Sequence, residues 1–302
     1  MPGSATAHVL TCVHPGGAGS LAPILREVLD LGAPRVLSPA FPEALEWRVE
    51  PGDPRALKAE LFRRGKAEGF DVALQPEAIH RTPKGVAVFD MDSTLLRIEV
   101  IDELARVHGV LAEVSKITEQ AMRGELDFAQ SLTRRVALLA GLPVETLDRI
   151  AANLPLNQGA DRLARLLKAM GVRLAVASGG FAVAARALEA RLGLDGAWSN
   201  SLESKEGRLT GRLEGPIVDA ARKAEVLGEL AAGQGITLDG TIAVGDGAND
   251  KPMLLAAGLG VAYRAKATLR EAADATLDVS GLDGLVYFLG LDQAAIDGLE
   301  RG

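Results

Sequence analysis

Cysteine occurs once in the 302 residues, at Cys12. That excludes an intramolecular disulfide and any cysteine-based zinc cluster, so a reducing, cytoplasmic compartment is expected and Cys12 reads as a small core residue. Aromatic residues make up only 4% of the chain, against 34 glycines. The core must therefore be built from Ala, Val and Leu, with many tight turns. Basic charge is also short: 33 Lys and Arg against 40 Asp and Glu leave a net charge of −7, which disfavours nucleic acid and anionic lipid as partners. Long apolar runs are missing too. The uncharged stretches 174–185 and 252–263 fall short of the roughly 20 residues that a membrane helix needs. The first 25 residues carry no charged side chain, but they lack a basic start and are interrupted by Pro2, His8, His14, Pro15 and glycines, so no secretory leader is expected. What remains, 48% hydrophobic and 24% charged, is the composition of a soluble globular chain of about two domains.

The chain divides by pattern. Residues 7–14, 35–38, 43–49 and 71–75 read as strands, and 20–31 and 54–66 as helices. This βαββαβ order over residues 1–80 is that of a ferredoxin-like domain. The polar Pro/Gly stretch HRTPKG at 80–85 reads as a linker. The apolar run 86–89 then ends directly in acids, as a buried strand does when it delivers polar residues at its C-terminal end. Residues 98–154 are helical in pattern, with a break at 141–143, and look like an insertion. Strands at 173–177, 241–244 and 260–262 alternate with helices at 161–170, 182–191 and 220–232, which predicts a mostly parallel α/β sheet covered on both faces. Residues 197–203 and 208–213 read as a projecting hairpin. The expected units are 1–80, a core of 81–97 with 158–302, and a helical cap at 98–157.

Four clusters carry chemistry. In Phe89-Asp90-Met91-Asp92-Ser93-Thr94 two acids lie two apart just beyond a buried strand, where like charges are costly unless a cation pairs them. A solvated turn is the alternative. A second acidic set, Gly245-Asp246-Gly247-Ala248-Asn249-Asp250, also follows an apolar run, and neighbouring parallel strands would bring both sets to one sheet edge. Converging carboxylates without His or Cys favour a hard cation such as Mg²⁺. Val176-Ala177-Ser178-Gly179-Gly180-Phe181 offers a hydroxyl and main-chain amides at a helix N-terminus, an anion pocket or simply a turn and cap. Lys223, in Ala221-Arg222-Lys223-Ala224-Glu225, reads by default as an exposed helical lysine.

Taken in this order, DxDST, SGG, a helical lysine and GDGAND resemble motifs I to IV of the haloacid dehalogenase superfamily, closest to its phosphoserine phosphatase branch, over about residues 86–289. Supporting stretches are Ile98-Glu99-Val100-Ile101-Asp102-Glu103, the run from Ala121 through Phe128 and Ser131-Leu132 to Arg135-Val136, and Ile217-Val218-Asp219-Ala220. The resemblance implies a Rossmann-like doubly wound sheet with a helical cap, and Mg²⁺-dependent hydrolysis of O-phospho-L-serine to L-serine, the last step of serine synthesis. It implies Asp90 as nucleophile, giving an aspartyl-phosphate, and Asp92 as general acid and then base. Mg²⁺ would be held by Asp90, the Asp92 carbonyl and Asp246, with Asp250 supporting that shell or orienting Lys223. Ser178, Gly179 and Lys223 would bind the phosphoryl oxygens, with Asn249 adding a contact. Glu99 would meet the substrate ammonium, Arg135 its carboxylate, and Phe128 would line the pocket.

Rival readings stay open. Glu99 could be a helix N-terminal acid and Arg134 or Arg135 part of a solvated face. Phosphoryl transfer to another hydroxyl, such as homoserine, begins with the same intermediate. The P-type ATPases share the acidic motifs, but this chain lacks membrane spans. Residues 1–80 resemble an ACT-like regulatory domain, in which His14-Pro15-Gly16-Gly17-Ala18-Gly19-Ser20 is either a turn or a site for serine. That unit is also a candidate for homodimer formation.

Overall fold

The computed structural model describes residues 6–16, 19–26, 32–39 and 42–301. The N-terminal unit runs β1 (His8–His14), α1 (Leu21–Arg26), β2 (Arg35–Ser38), β3 (Glu43–Val49), α2 (Pro54–Glu68) and β4 (Asp71–Pro76), followed by a short helix α3 (Glu77–Arg81). Its antiparallel strands lie in the order β2-β3-β1-β4, so the expected ferredoxin-like βαββαβ arrangement is present. The expected continuation of the first helix over 27–31 falls outside the described residues. Local chemistry sets α2: Asp53 accepts from the amides of Arg55 and Ala56 at 3.0 and 3.1 Å, Pro54 opens the helix, and Gly69 closes it at φ 79°, a left-handed turn that glycine takes without steric cost. Leu10, Cys12, Leu45, Trp47, Val72 and Leu74 from the strands bury against Leu21, Leu25, Leu61 and Phe62 from the helices. Cys12 is fully buried, and burial pushes its thiol well above the usual range.

The second unit carries β5 (Val86–Phe89), the helices α4 (Val100–His108), α5 (Leu111–Met122), α6 (Phe128–Ala137) and α7 (Val144–Ala151), then α8 (Ala160–Ala169), β6 (Arg173–Phe181) and α9 (Ala182–Leu192). It continues with the hairpin β7 (Gly196–Lys205) and β8 (Arg208–Glu214), α10 (Ala220–Gly233), β9 (Thr241–Gly245), α11 (Lys251–Ala256), β10 (Leu259–Tyr263), α12 (Ala267–Arg270), β11 (Ala275–Leu277), α13 (Leu285–Phe288) and α14 (Gln293–Arg301). Strands β11-β10-β9-β5-β6-β7 are all parallel. Numbered from β5 they give the doubly wound order in which β5 sits at the switch point, where ligands bind beyond the strand ends. The central strands β5, β6 and β9 are buried on both faces, as a covered parallel sheet requires: Ala87, Phe89, Leu174, Val176, Ile242 and Val244 face one core, while Val86, Val88, Ala175, Ala177 and Ala243 face the other. Helices α4 to α7 form the expected insertion.

Three features differ from the sequence reading. Residues 80 and 81 belong to α3, so the irregular link is shorter than the six residues expected. Strand β6 runs on to Phe181, past the expected end at 177, because its pairing with β7 is bulged between Ala177 and Phe181. Ser178 and the two glycines are therefore extended, and the helix opens only at Ala182. Finally β11, which the sequence reading did not find, pairs antiparallel with β4 and joins both units into one 11-stranded sheet. Asp71 reinforces the joint, its buried carboxylate accepting from the amides of Asp278, Val279 and Ser280.

Candidate active site

Strand β5 ends at Phe89, and the Asp90 amide still donates to Val244 O on β9 at 2.9 Å. Beyond it the chain cannot continue as a strand. Residues 91–95 form an irregular turn in which Asp92 stays extended at ψ 137° while Ser93 is left-handed at φ 58°, a conformation uncommon for a residue with a Cβ. Asp90 and Asp92 are both buried at the mouth of the sheet. Burial holds the Asp92 carboxyl well above the usual carboxylate range, and the charges of Glu99 and Asp90 add to the effect. An acid held protonated can donate a proton.

Lys223 does not follow the default for a helical lysine: it is 0% exposed, with Nζ 2.9 Å from Asp90 Oδ1 and 2.6 Å from Asp250 Oδ1. Burial alone would lower its pKa, but the two carboxylates prevail and hold it above the ordinary lysine range. Asp250 uses its other oxygen to accept from the amides of Asp246 and Gly247 at 3.1 and 3.0 Å. Both of its oxygens are thus engaged, whereas among the described residues the Asp246 side chain accepts only a 3.3 Å bond from Thr94 Oγ1. Burial, with Asp90 and Asp250 close by, pushes Asp246 up to about 7. Asp90, Asp246 and Asp250 can present carboxylate oxygens within 4.8 Å of one another. An all-oxygen donor set with mutual repulsion to relieve fits a hard divalent cation.

The extended Ser178-Gly179-Gly180 segment lies across from these acids. Ser178 Oγ accepts from the Gly180 amide at 3.0 Å, and the Gly179 carbonyl accepts from Asn200 Nδ2 at 2.8 Å. Both glycines are required by space. A Cβ on Gly180 would stand 2.4 Å from Asp92 Oδ2, and one on Gly179 would stand 2.5 Å from Cζ of Phe128. Phe128 opens helix α6 behind a capping box formed by Asp127 and Gln130, so the cap is set down on the core at Gly179. Glu99 accepts from Ser93 Oγ at 2.7 Å, and burial raises its pKa despite that bond and the nearby positive charge of Arg135. Arg135 is half-buried, and its only side-chain hydrogen bond among the described residues is a 3.4 Å contact from Nε to Ser131 O. Its fork is therefore open to a ligand, while Arg134 is exposed.

The structure brings Asp90, Asp92, Glu99, Phe128, Ser178, Gly179, Lys223, Asp246 and Asp250 to one end of the sheet. Asn249 follows in the same turn, half-buried, with no side-chain hydrogen bond among the described residues. Two further residues matter that the sequence reading passed over. Asn200 ties Gly179 to the segment before Lys223, its Oδ1 accepting from the Val218 amide at 2.8 Å. Asn157 lies against the turn that carries Asp92. Neither stands in a motif with a chemical signature of its own. A cavity of about 730 Å³ lies away from this chemistry, between β3, α3 and residues 289–290. Its arginines Arg35, Arg48 and Arg81 are already paired with Glu46, Glu50 and Glu77, so the acidic cluster at the sheet edge is the better candidate for catalysis. In the N-terminal loop at 14–20, read from the sequence as either a turn or a site for serine, Glu43 accepts from the amides of Gly19, Ser20 and Leu21 at 2.9 to 3.0 Å; Gly17 and Ala18 fall outside the described residues.

Residues 87–255 match the family model of the haloacid dehalogenase-like hydrolases. The chain belongs to that family, and is an enzyme of the hydrolase class. Within the family it is 46% identical over 250 residues to a phosphoserine phosphatase of Archaeoglobus fulgidus, an alignment spanning 82% of this chain and 73% of the relative. It is 43% identical over 288 residues to the phosphoserine phosphatase of Streptomyces coelicolor, spanning 94% and 70%. Among solved structures, a haloacid dehalogenase family hydrolase from Salmonella enterica serovar Typhi superposes with a TM-score of 0.84 at 33% identity, covering 93% of this chain and 98% of that one. Among the described residues no helix is long and apolar enough to cross a membrane.

Proposed function

We propose that the chain is a phosphoserine phosphatase that hydrolyses O-phospho-L-serine to L-serine and phosphate in the cytoplasm. The observation that carries the chemistry is the Asp90–Lys223–Asp250 chain, a carboxylate at a switch point fixed by a fully buried lysine. Support for the substrate comes from the relatives' names and from Glu99 and Arg135, an acid and an open guanidinium facing the same space from the cap side.

Asp90 attacks phosphorus and forms an aspartyl-phosphate, while Asp92 gives its proton to the departing serine oxygen; Asp92 then takes a proton from water as the second displacement returns Asp90. Ser178 Oγ, the Gly179 amide and Lys223 Nζ hold the phosphoryl oxygens as charge shifts among them. Asn249 adds a contact there. Asp90, Asp246 and the Asp92 carbonyl would hold Mg²⁺, with Asp250 fixing Lys223 and the turn after β9. Bound there, Mg²⁺ supplies charge neutralisation on the transferring group. Glu99 meets the ammonium, Arg135 the carboxylate, and Phe128 shuts the pocket against water.

The working units are residues 1–80, the core of 81–97 with 158–302, and the cap of 98–157. Residues 1–80 are a regulatory unit in this reading, with serine as its ligand and a homodimer as its assembly. The direct test is phosphate release from O-phospho-L-serine with and without Mg²⁺, beside a panel of sugar phosphates. Mg²⁺-dependent turnover that prefers phosphoserine supports the proposal; preference for a sugar phosphate overturns the Glu99 and Arg135 assignments.

A further inference from the structure

The turn at 93–97 is both the carrier of Asp92 and the point where the chain leaves the core for the cap. Its backbone is not helical, and Ser93 is left-handed, so the carbonyls there lack the regular i to i−4 partners that a helix would give them. Buried carbonyls need donors. Asn157 provides them: its Nδ2 donates to Thr94 O at 2.8 Å, Leu96 O at 2.9 Å and Ser93 O at 3.2 Å, and its own amide donates to Leu95 O at 2.8 Å. Four consecutive carbonyls thus converge on one residue. The amide group has two hydrogens, so the longest contact is shared. Asn157 is buried, and it lies where the chain returns from the cap. The outgoing and returning strands touch beside it, through an antiparallel bridge of Leu96 with Leu156 and a 3.0 Å bond from the Arg97 amide to Pro155 O.

We infer that Asn157 is a positioning residue that clasps the two cap linkers together and thereby fixes the placement of Asp92 for proton transfer. Ser93 and Thr94, on the same turn, also reach Glu99 and Asp246 at 2.7 and 3.3 Å. The inference rests on the role proposed above for Asp92, and it makes a demand that a merely structural asparagine would not meet. Proton donation matters for a poor leaving group such as the serine alkoxide and little for a good one such as p-nitrophenolate.

The test compares kcat/KM, which reports the steps through departure of the leaving group, for O-phospho-L-serine and p-nitrophenyl phosphate in the wild type and in Asn157→Ala. A displacement of about 1 Å in a reacting group costs on the order of 100-fold. The expected loss is therefore about 100-fold on phosphoserine and a few-fold on the aryl ester. Asn157→Ser keeps one donor and should lie between Ala and wild type, and it replaces Ala as the test variant where Ala does not fold. Asn157→Asp sets a carboxylate against three carbonyls, those of Ser93, Thr94 and Leu96, and should be the worst of the three. Equal losses on both esters, or no loss, overturn the inference. A wild type inactive on phosphoserine refutes the substrate proposal instead, and the same comparison is then made with whichever alkyl phosphate it hydrolyses.

Discussion

Replacing Lys223 by Met removes the one positive charge buried between Asp90 and Asp250 while keeping the length and apolar stem of the side chain. Nζ lies 2.9 and 2.6 Å from the two carboxylates and is 0% exposed, so no water screens what is left behind. Breaking a buried ion pair by deleting one partner costs about 3 to 5 kcal/mol, and that range is expected near pH 8. The cost should shrink in acid. With the ammonium in place Asp250 already stands at about 6, raised by burial and by Asp90 and pulled down by Lys223; without the ammonium it rises further. A carboxyl whose pKa is higher folded than unfolded favours folding when protonated, and that advantage disappears as pH climbs through the folded value. Between the variant's higher folded value and the wild type's value of about 6, the variant should therefore take up about one more proton on folding than the wild type, and over that interval the stability gap should narrow by about 1.4 kcal/mol per pH unit, levelling off once the wild type binds the proton too. Urea unfolding of both metal-free proteins at pH 8, 7 and 6, followed by circular dichroism, measures the gap directly. Millimolar Mg²⁺ should recover part of it at pH 8. A gap below about 1 kcal/mol, or one that does not change with pH, would refute the electrostatic reading of this site.

Three further outcomes follow from the same geometry. Asp246, raised to about 7 in the metal-free chain by burial, Asp90 and Asp250, must lose its proton to bind a cation. Calorimetric Mg²⁺ affinity should accordingly rise from pH 5.5 to 7 and level off above it, and the melting temperature of the metal-free protein should fall over the same interval; a flat affinity profile counts against Asp246 as a ligand. Gly179→Ala would put a Cβ 2.5 Å from Phe128 Cζ, so KM for phosphoserine should rise at least about tenfold as the ring is displaced, and Phe128→Leu in the same chain should recover part of the loss. Arg135→Lys gives up the planar fork, so it should raise KM for phosphoserine by about 10- to 100-fold while leaving phosphate esters without a carboxylate nearly unaffected. Equal losses on both would show that Arg135 shapes the cap rather than reading the substrate.

Much of the architecture was legible because burial imposes period and composition. Val86–Phe89 and Thr241–Gly245 are uninterrupted apolar runs ending in acids, and a parallel sheet covered on both faces leaves few other readings. The N-terminal βαββαβ unit was legible for a related reason: its strands alternate with two helices, of which α2 is bounded by Asp53, Pro54 and Gly69. What escaped is short or non-local. Ala275–Leu277 is three residues long, too little for a pattern, and its antiparallel partner β4 lies some 200 residues earlier. The burial of Lys223 could be suspected only from its place among the four motifs, since nothing in Ala221-Arg222-Lys223-Ala224-Glu225 separates it from a solvated lysine. Asn157 and Asn200 act through main-chain carbonyls and amides of distant segments, and a contact with backbone leaves no trace in the identity of the partner residue. The bulge that keeps Ser178 to Gly180 extended depends on pairing with β7, which no window of sequence around Ser178 contains.

In the proposed reaction Asp90 is transiently phosphorylated by phosphoserine. Rapid acid quenching of the Mg²⁺-loaded enzyme mixed with ³²P-labelled O-phospho-L-serine, followed by peptide mapping, tests it most directly. An acid-stable, alkali-labile label is expected on the peptide containing Asp90, appearing before free phosphate and missing from Asp90→Asn. Phosphate release with no protein-bound label at any quench time, or label on another residue, would contradict it.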